Sequence, residues 1–215
     1  MRAAARISRV SRVLLILTAA LAALASLACE GRTLPTQMVL ETCGPYPAIA
    51  SSPYVMPIPV GSSTFISQGN CGPYTHAGTI RYAVDLHLAV GRVIVAARGG
   101  QVTAIRQHFQ DDVDLAINQG NYVEILHTDG TVGWYEHLMQ NSVMVDIGDT
   151  VAQSQPIARA GNTGFTGYYP HLHFVVFGCM EGCESIPVVF RNADPPAPTG
   201  PISGATYSAL PVGGS

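Results

Sequence analysis

The sequence contains no lysine, and this absence limits the partners that the protein can have. Its 11 basic residues are all arginines, and four of them lie within the first 28 residues, whereas all 14 acidic residues come later. The chain beyond residue 28 therefore has seven arginines against 14 carboxylates, a formal charge of −7. Nucleic-acid binding normally needs a basic face, so we expect no nucleic-acid partner.

Two hydrolase motifs and long helical patterns are also missing. There is no His-Glu-x-x-His, which excludes the helical zinc-protease type, and no Gly-x-Ser-x-Gly of a serine hydrolase. Instead, 22 glycines and 15 prolines accompany short apolar runs. This composition is typical of a turn-rich β protein, and a hydrophobic share of 47% is enough for a core.

Apolar runs that end in turn residues predict a mainly β fold, an antiparallel sheet arranged as a sandwich or roll. The runs lie at 82–88, 93–97, 101–105, 122–127, 131–138 and 143–147. Gly99 and Gly100 predict a tight turn between the second and third runs, and Asp129-Gly130 is the strongest hairpin signal. The compact part of the chain starts near Thr64.

The ends of the chain differ in composition from its middle. Residues 1–28 join a basic front to an apolar run and predict a secretory leader. A retained membrane anchor is the alternative, although the apolar run is shorter than the roughly 20 residues of a membrane span. Residues 29–63 predict a linker and lead-in, residues 64–193 the compact domain, and residues 194–215 a flexible Pro/Gly/Ser-rich tail.

Cys29 follows directly after the predicted leader. The segment resembles that of bacterial lipoproteins, in which such a cysteine is lipidated and attaches the protein to a membrane. Ordinary leader cleavage is the alternative, because Ser26 stands where the lipoprotein motif usually has a Leu-like residue. Both alternatives predict export to the cell envelope, in the periplasm or on the outer surface.

The other four cysteines suggest two disulfides, because an even number in an exported protein usually pairs. Three connectivities are open. Cys179 and Cys183 are close enough to form a small loop, and a bond between Cys43 and Cys71 would follow. Free buried thiols are the alternative, and the lack of a second close pair disfavours a cysteine metal site.

Histidines and one carboxylate stand in segments otherwise suited to a core. His171 and His173 lie two apart in an apolar strand, so both imidazoles should point to one face. Asp85 lies inside a predicted strand, where a buried carboxylate is costly unless it is paired or binds metal. His76, Asp85 and one of the two strand histidines would give three ligands, as in a catalytic zinc site. Taken alone, each residue could instead lie on the surface, as could His137.

These motifs, in this order, resemble the lysostaphin/LytM-type zinc metallopeptidases, which cut peptide cross-links of bacterial peptidoglycan. The resemblance extends from about Gln68 to Phe177. Four matches carry it: His76-Ala77-Gly78 with Asp85, Gly91 to Val102, Tyr135-Glu136-His137, and Gly161-Asn162-Thr163-Gly164 followed by His171-Leu172-His173-Phe174. It implies a zinc endopeptidase with an antiparallel β core, whose groove holds the zinc site and accepts an extended peptide.

The resemblance implies roles for five residues. His76, Asp85 and His173 would bind Zn²⁺, and His171 and His137 would orient the reacting water and accept its proton. The family usually places three residues between its first His and Asp, whereas eight separate His76 from Asp85 here. A loop insertion would still allow His76 to return to the site.

Four further residues are interpreted with lesser roles. His87 lies two residues after Asp85 and should share its face, which makes it the alternative ligand. Tyr74 is the nearest candidate for a tyrosine that assists catalysis in the family. His108 and His127 are interpreted as surface residues without a role.

Two other functions remain open at the level of sequence. The first is a non-catalytic envelope module of the same fold that binds or activates another cell-wall hydrolase. The second is a structural envelope lipoprotein with incidental histidines, which predicts no metal. The cleaved bond is open as well, because a glycine bridge and a D-Ala–diamino acid link both fit.

Overall fold

The computed structural model describes residues 43–212, and its regular structure is almost entirely β-strand. The strands are β1 Ser63–Gln68, β2 Val84–His87, β3 Val93–Val95, β4 Gly100–Arg106, β5 Tyr122–Leu126, β6 Val132–Glu136, β7 Thr150–Val151, β8 Pro156–Arg159, β9 His171–Phe177, β10 Ala193–Asp194 and β11 Thr206–Ala209. Two short 3-10 helices lie at Ile49–Ser51 and Gly78–Ile80. None of the described residues belongs to a helix that is long and apolar enough to cross a membrane.

Nine strands form one antiparallel sheet in the order β10-β11-β1-β2-β9-β6-β5-β4-β7. The remaining two, β3 and β8, form a small second sheet. The large sheet confirms the antiparallel β fold expected from the sequence. Its middle strand is β9, which carries the His-x-His pair and is hydrogen-bonded to β2 on one side and to β6 on the other.

The two faces of β9 have different surroundings. Leu172, Phe174 and Val176 point into the hydrophobic core. Because side chains alternate along a strand, His171 and His173 point to the opposite face of the sheet. The apolar residues therefore anchor the strand, and the imidazoles share the face on which a site can form.

The C-terminal segment is part of the large sheet. β11 pairs with β1, and β10 pairs with β11 at the edge of the sheet. Tyr207 and Ala209 of β11 are buried in the core. The structure therefore departs from the flexible tail predicted for residues 194–215, because a short alternating strand within that segment buries its apolar side.

The N-terminal lead-in also packs against the domain. Tyr54, Met56 and Ile58 are buried in the core, and the backbone N–H of Met56 donates to the Asn192 side chain over 2.8 Å. The predicted leader and the lipidation of Cys29 lie outside the described residues. The division of the chain at residues 28, 63 and 193 stays a prediction.

Both predicted disulfides are present in the structure. Cys43 is bonded to Cys71, which joins the lead-in to the turn after β1. Cys179 is bonded to Cys183 and closes a small loop after β9. The predicted pairing is confirmed, and each bond fixes a segment that adjoins the face carrying the histidines.

The hairpin predicted around Gly99 and Gly100 is wrong. β3 pairs with β8, whereas β4 pairs with β5 and β7. Neither glycine has a positive φ, and a Cβ on Gly100 would collide with the carbonyl oxygen of Leu126. The two glycines therefore allow close strand packing rather than a tight turn. Residues 143–147, predicted to continue the strand pattern, form no strand.

Candidate metal and catalytic site

The pairing of β2 with β9 brings the first site residues together. Asp85 lies opposite His173, and His87 lies opposite His171. Since residues two apart share a face, Asp85, His171 and His173 all point to the side of the sheet away from the core. Strand register alone therefore places a carboxylate beside two imidazoles.

Asp85 lies at the centre of the cluster and is buried together with the histidines around it. Its Oδ1 atom is 2.8 Å from Nδ1 of His173 and 3.1 Å from Nε2 of His76. Nε2 of His171 lies 3.6 Å from the same oxygen. His76 therefore reaches the site in spite of its long sequence separation from Asp85.

The chain between His76 and Asp85 forms a compact excursion that includes the 3-10 helix Gly78–Ile80. Nδ1 of His76 lies 2.9 Å from the carbonyl oxygen of Gly69, so the ring is held from the side opposite Asp85. Gly69 is two residues before Cys71, where the disulfide fixes the turn. This arrangement is the inserted loop that the sequence predicts.

Gln68 ties the His76 loop to the carboxylate, and sequence reasoning assigned it no role. Its buried side chain accepts the backbone N–H groups of Tyr74 and Thr75, each over 3.3 Å. Its Nε2 donates to Oγ1 of Thr75 over 2.7 Å and to Oδ2 of Asp85 over 3.4 Å. The only sequence signal was its place directly before the cysteine-containing turn.

His137 completes the cluster from the end of β6. Its ring centroid lies 4.7 Å from that of His171 and 5.8 Å from that of His173. Nδ1 of His137 is 2.7 Å from the carbonyl oxygen of Thr163. Oγ1 of Thr163 in turn accepts the backbone N–H of Asn121, which anchors the Gly-Asn-Thr-Gly turn to the sheet.

The Gly-Asn-Thr-Gly turn reaches this position because its glycines allow close contacts. A Cβ on Gly161 would collide with the backbone nitrogen of Met139. Gly164 has a φ of +75°, and a Cβ there would lie 2.7 Å from the Cα of Gly120. The motif therefore positions Thr163, and through it His137, by backbone approach.

The charges within the cluster are strongly coupled. Burial raises the pKa of Asp85, but hydrogen bonds from His173 and His76 outweigh burial and hold this pKa well below its ordinary value. Burial lowers the pKa of His173, but the hydrogen bond and charge of Asp85 raise it above the ordinary value. Asp85 is therefore an ionised carboxylate, the form that binds a metal.

The two flanking histidines are held in the neutral form. Burial, followed by the nearby His171 and His173, holds the pKa of His137 well below its ordinary value. Burial also lowers the pKa of His171, although the charge of Asp85 opposes this shift. Nδ1 of His171 lies 2.7 Å from the carbonyl oxygen of Tyr169. A neutral ring that donates there has a free lone pair on Nε2, toward the cluster.

Among the described residues, two overlapping sets could hold a metal: His76, Asp85 and His173, or His137, His171 and His173. A tetrahedral zinc with bonds of 2.0–2.1 Å places its ligand atoms about 3.3 Å apart. The separations of 3.1 Å and 2.8 Å between Asp85 Oδ1 and the two imidazole nitrogens are close to this value. His76 also donates from its other nitrogen to a carbonyl, as metal-binding histidines usually do. The first set therefore fits zinc.

Two residues that the sequence offers as possible members of the site lie outside the cluster, and a third is buried where the sequence predicts exposure. His87 shares the face of Asp85 by strand alternation, but it is exposed and belongs to neither metal-binding set. Tyr74 is 84% exposed, so its side chain does not pack in the buried cluster. His127 was interpreted as a surface residue, and this is wrong, because only 3% of it is exposed.

Residues 79–182 match the model of peptidase family M23. The matched segment includes Asp85, His137, His171 and His173, and it begins after His76. This match confirms the resemblance found in the sequence motifs. No curated protein shows significant similarity to the chain.

Several solved structures resemble the chain. The catalytic domain of the prophage-encoded M23 protein EnpA from Enterococcus faecalis is 18% identical, with a TM-score of 0.47, over 61% of this chain and 94% of that one. A zinc-containing peptidase from Vibrio cholerae is 27% identical, with a TM-score of 0.43, over 58% and 37%. Lysostaphin from Staphylococcus simulans is 26% identical, with a TM-score of 0.42, over 55% and 44%. The chain thus spans less than half of the last two proteins.

Proposed function

We propose that this protein is a zinc-dependent endopeptidase that hydrolyses peptide cross-links of bacterial peptidoglycan. The observation that carries the proposal is the convergence of His76, Asp85 and His173 at separations suited to tetrahedral zinc, with two neutral imidazoles beside them. The match of residues 79–182 to the model of peptidase family M23 supports the same reaction class.

His76, Asp85 and His173 would hold the metal, and the buried, ionised Asp85 would balance part of its charge. A zinc ion held there would supply a Lewis acid that polarises the scissile carbonyl and lowers the pKa of water toward about 7. Gln68 would fix the carboxylate and the His76 loop in the geometry that such binding needs.

His171 and His137 would carry out the proton transfers. Each ring is fixed through Nδ1 by a backbone carbonyl, of Tyr169 and Thr163, and each has a lowered pKa. A neutral Nε2 can accept a proton from the attacking water and then donate it to the leaving amine. The protonated ring would also stabilise the negative charge that develops on the carbonyl oxygen.

The proposed substrate places the protein in the cell envelope. The predicted leader at residues 1–28 would export it, and a lipidated Cys29 would attach it to a membrane. Mass analysis of the mature protein tests this part separately, because lipidation adds acyl mass to the N-terminal cysteine, whereas ordinary cleavage leaves a free one.

Digestion of purified peptidoglycan tests the activity. The purified protein should release cross-linked peptides only when zinc is present, and His171→Ala should abolish release while retaining zinc. His108→Ala is the matched control, because His108 is exposed and outside the cluster. Wild-type protein that binds zinc but releases nothing would favour the non-catalytic envelope module.

Asp85→Asn and His137→Ala distinguish the two metal-binding sets. If His76, Asp85 and His173 hold the metal, Asp85→Asn should lose zinc, and His137→Ala should retain it. The opposite pattern would move the metal to His137, His171 and His173 and would contradict the roles proposed for the flanking imidazoles.

A further inference from the structure

Two neighbouring cavities lie on the open face of the sheet and continue away from His173. The first has a volume of about 220 Å³ and is lined by Ile80, Trp134, Glu136, His173, Val175 and Phe177. The second has a volume of about 220 Å³ and shares Trp134 and Phe177 with the first. We refer to the two together as the Trp134 groove.

Strand register explains why the Trp134 groove begins at the metal site. Glu136 lies opposite His173 across the β6–β9 pair, and Trp134 lies opposite Val175. On the other side of β6, Trp134 lies opposite Glu124 of β5. The groove therefore runs along the strands from the metal site. A substrate chain in the same direction advances about 3.3 Å per residue, so its side chains within two residues of the scissile bond reach Trp134.

The floor of the groove is apolar and its end is rigid. Trp134 is stacked on Tyr122, with ring centroids 4.1 Å apart, and makes an edge contact with Phe177. The Cys179–Cys183 disulfide closes the far end of the second cavity. Such a floor suits the aliphatic stem of a long side chain.

The polar groups of the groove are predominantly negative. Glu136 and Glu124 line its two cavities, and no arginine does so. Arg106 of β4 lies beside the groove: its Nη2 atom lies 3.9 Å from Glu136, and its guanidinium packs over Tyr122, 4.7 Å from the ring centroid. Arg106 therefore offsets part of the negative charge at Glu136, whereas the side chains that line the two cavities include carboxylates and no arginine.

We propose that the Trp134 groove binds a substrate side chain with a protonated amino group on an aliphatic stem, within two residues of the scissile bond. This inference rests on the proposed function and names the substrate class of the same site. The stem would pack on Trp134 and Phe177, while the amino group would lie near Glu136 and Glu124. A peptide of glycine alone offers neither stem nor charge and should be a poor substrate.

Matched peptides test the proposal. Two peptides contain the same D-alanyl link and a diamino side chain next to it, with the amino group free in one and acetylated in the other. The free amine should be cleaved with a kcat/KM roughly tenfold higher, the scale of a close charge contact. The double variant Glu124→Gln/Glu136→Gln should reduce this ratio to about one, since both substitutions keep the side-chain shape. The control Asp194→Asn removes a carboxylate on β10, four strands from β9, and should keep the ratio.

Binding separates this proposal from the proposed function. Calorimetry on the His171→Ala variant measures affinity for both peptides without turnover. Tighter binding of the free amine, abolished by the double variant, supports the groove even if the wild-type protein cleaves nothing. Equal affinity for both peptides, or a preference that survives in the double variant, would overturn it whether or not zinc-dependent cleavage is found.

Discussion

Gln68 shows how a single uncharged side chain can determine the geometry of this site. It contacts the loop that carries His76 and the carboxylate of Asp85 at the same time. Its replacement by alanine would remove the acceptor of two partly buried backbone N–H groups of that loop. Residues that hold metal ligands typically change metal affinity by about 10–100-fold when they are mutated.

We therefore predict that Gln68→Ala weakens zinc binding by about 10–100-fold, with a smaller change in unfolding temperature than a core substitution would cause. Competition with a zinc chelator measures the affinity. Gln101→Ala is the matched control, because the side-chain amide of Gln101 also forms a hydrogen bond to the backbone of another segment, but Gln101 lies on β4. Equal zinc affinities of the two variants would show that Gln68 does not position the ligands.

His127 gives a pH-dependent contribution to stability at a distance from the strand pair β2–β9. Burial lowers the pKa of His127, a hydrogen bond to Gly99 opposes the shift, and nearby Arg98 adds to it. Asp129 opposes it weakly. Because the unfolded chain takes up a proton near pH 6.5 more readily than the folded one, the contribution is complete above about pH 6.5 and is lost as the pH falls through that value.

We predict that the unfolding temperature falls less between pH 7.5 and 5.5 in His127→Gln than in the wild-type protein. His137 and His171 also have lowered pKa values, so they contribute to the slope of both proteins and cancel in the comparison. Thermal unfolding followed by circular dichroism at the two pH values provides the measurement. Identical shifts would mean that His127 takes up its proton without loss of the fold.

At the residue scale, the sequence predicts the side chains of the candidate site better than the groups that hold those side chains in position. His171 and His173 could be placed on one face because strand alternation is local. The carbonyl oxygens of Gly69, Tyr169 and Thr163, which hold the imidazole rings, could not be predicted. Every residue type carries a backbone carbonyl, so the sequence does not show which one accepts a hydrogen bond. His127 was misplaced for a related reason: its burial depends on Tyr54 and other residues far away in sequence.

Among the structural elements, the turn after β1 is held by the Cys43–Cys71 disulfide. Chain-entropy arithmetic gives about 3–4 kcal/mol for a loop of its length and about 2 kcal/mol for the short Cys179–Cys183 loop. The first disulfide also lies beside Gly69, which holds the His76 ring. Its loss should therefore affect both folding and metal binding.

We predict that the Cys43→Ser/Cys71→Ser variant loses more unfolding free energy than Cys179→Ser/Cys183→Ser and also binds zinc more weakly. Urea unfolding measures the stability, and chelator competition measures the metal affinity. The second variant is the control for disulfide removal as such, because its loop follows the end of β9 that is farther from His171 and His173 in sequence. Unchanged zinc affinity in the first variant would mean that His76 is held independently of the turn.

The elements that the sequence predicts well are those with local patterns. Strand β9 was predicted from its local pattern, because the His-x-His pair stands in an apolar stretch that follows a glycine-rich turn. β10, β11 and the packed lead-in were missed because their pairing with β1 and their burial depend on long-range contacts. The Gly99-Gly100 pair was misjudged because glycine marks both tight turns and close strand packing.

At the scale of the whole molecule, the large sheet brings residues that are far apart in sequence together in one site. His76, Asp85, His137 and the His-x-His strand come from four separate segments, and only the strand order β2-β9-β6 makes them neighbours. The departure from the usual spacing between His76 and Asp85 is therefore absorbed by a loop at the side of the sheet.

The central claim is that His76, with Asp85 and His173, binds zinc. Metal analysis of the purified protein tests it directly, with His76→Ala and His87→Ala as a matched pair, since each replaces one histidine and only His76 belongs to a set that could hold a metal. We predict about one zinc per wild-type chain, loss of zinc from His76→Ala, and retention by His87→Ala. A folded wild-type protein without zinc that gains no activity from added metal, or a His76→Ala variant that keeps its zinc, would contradict the account.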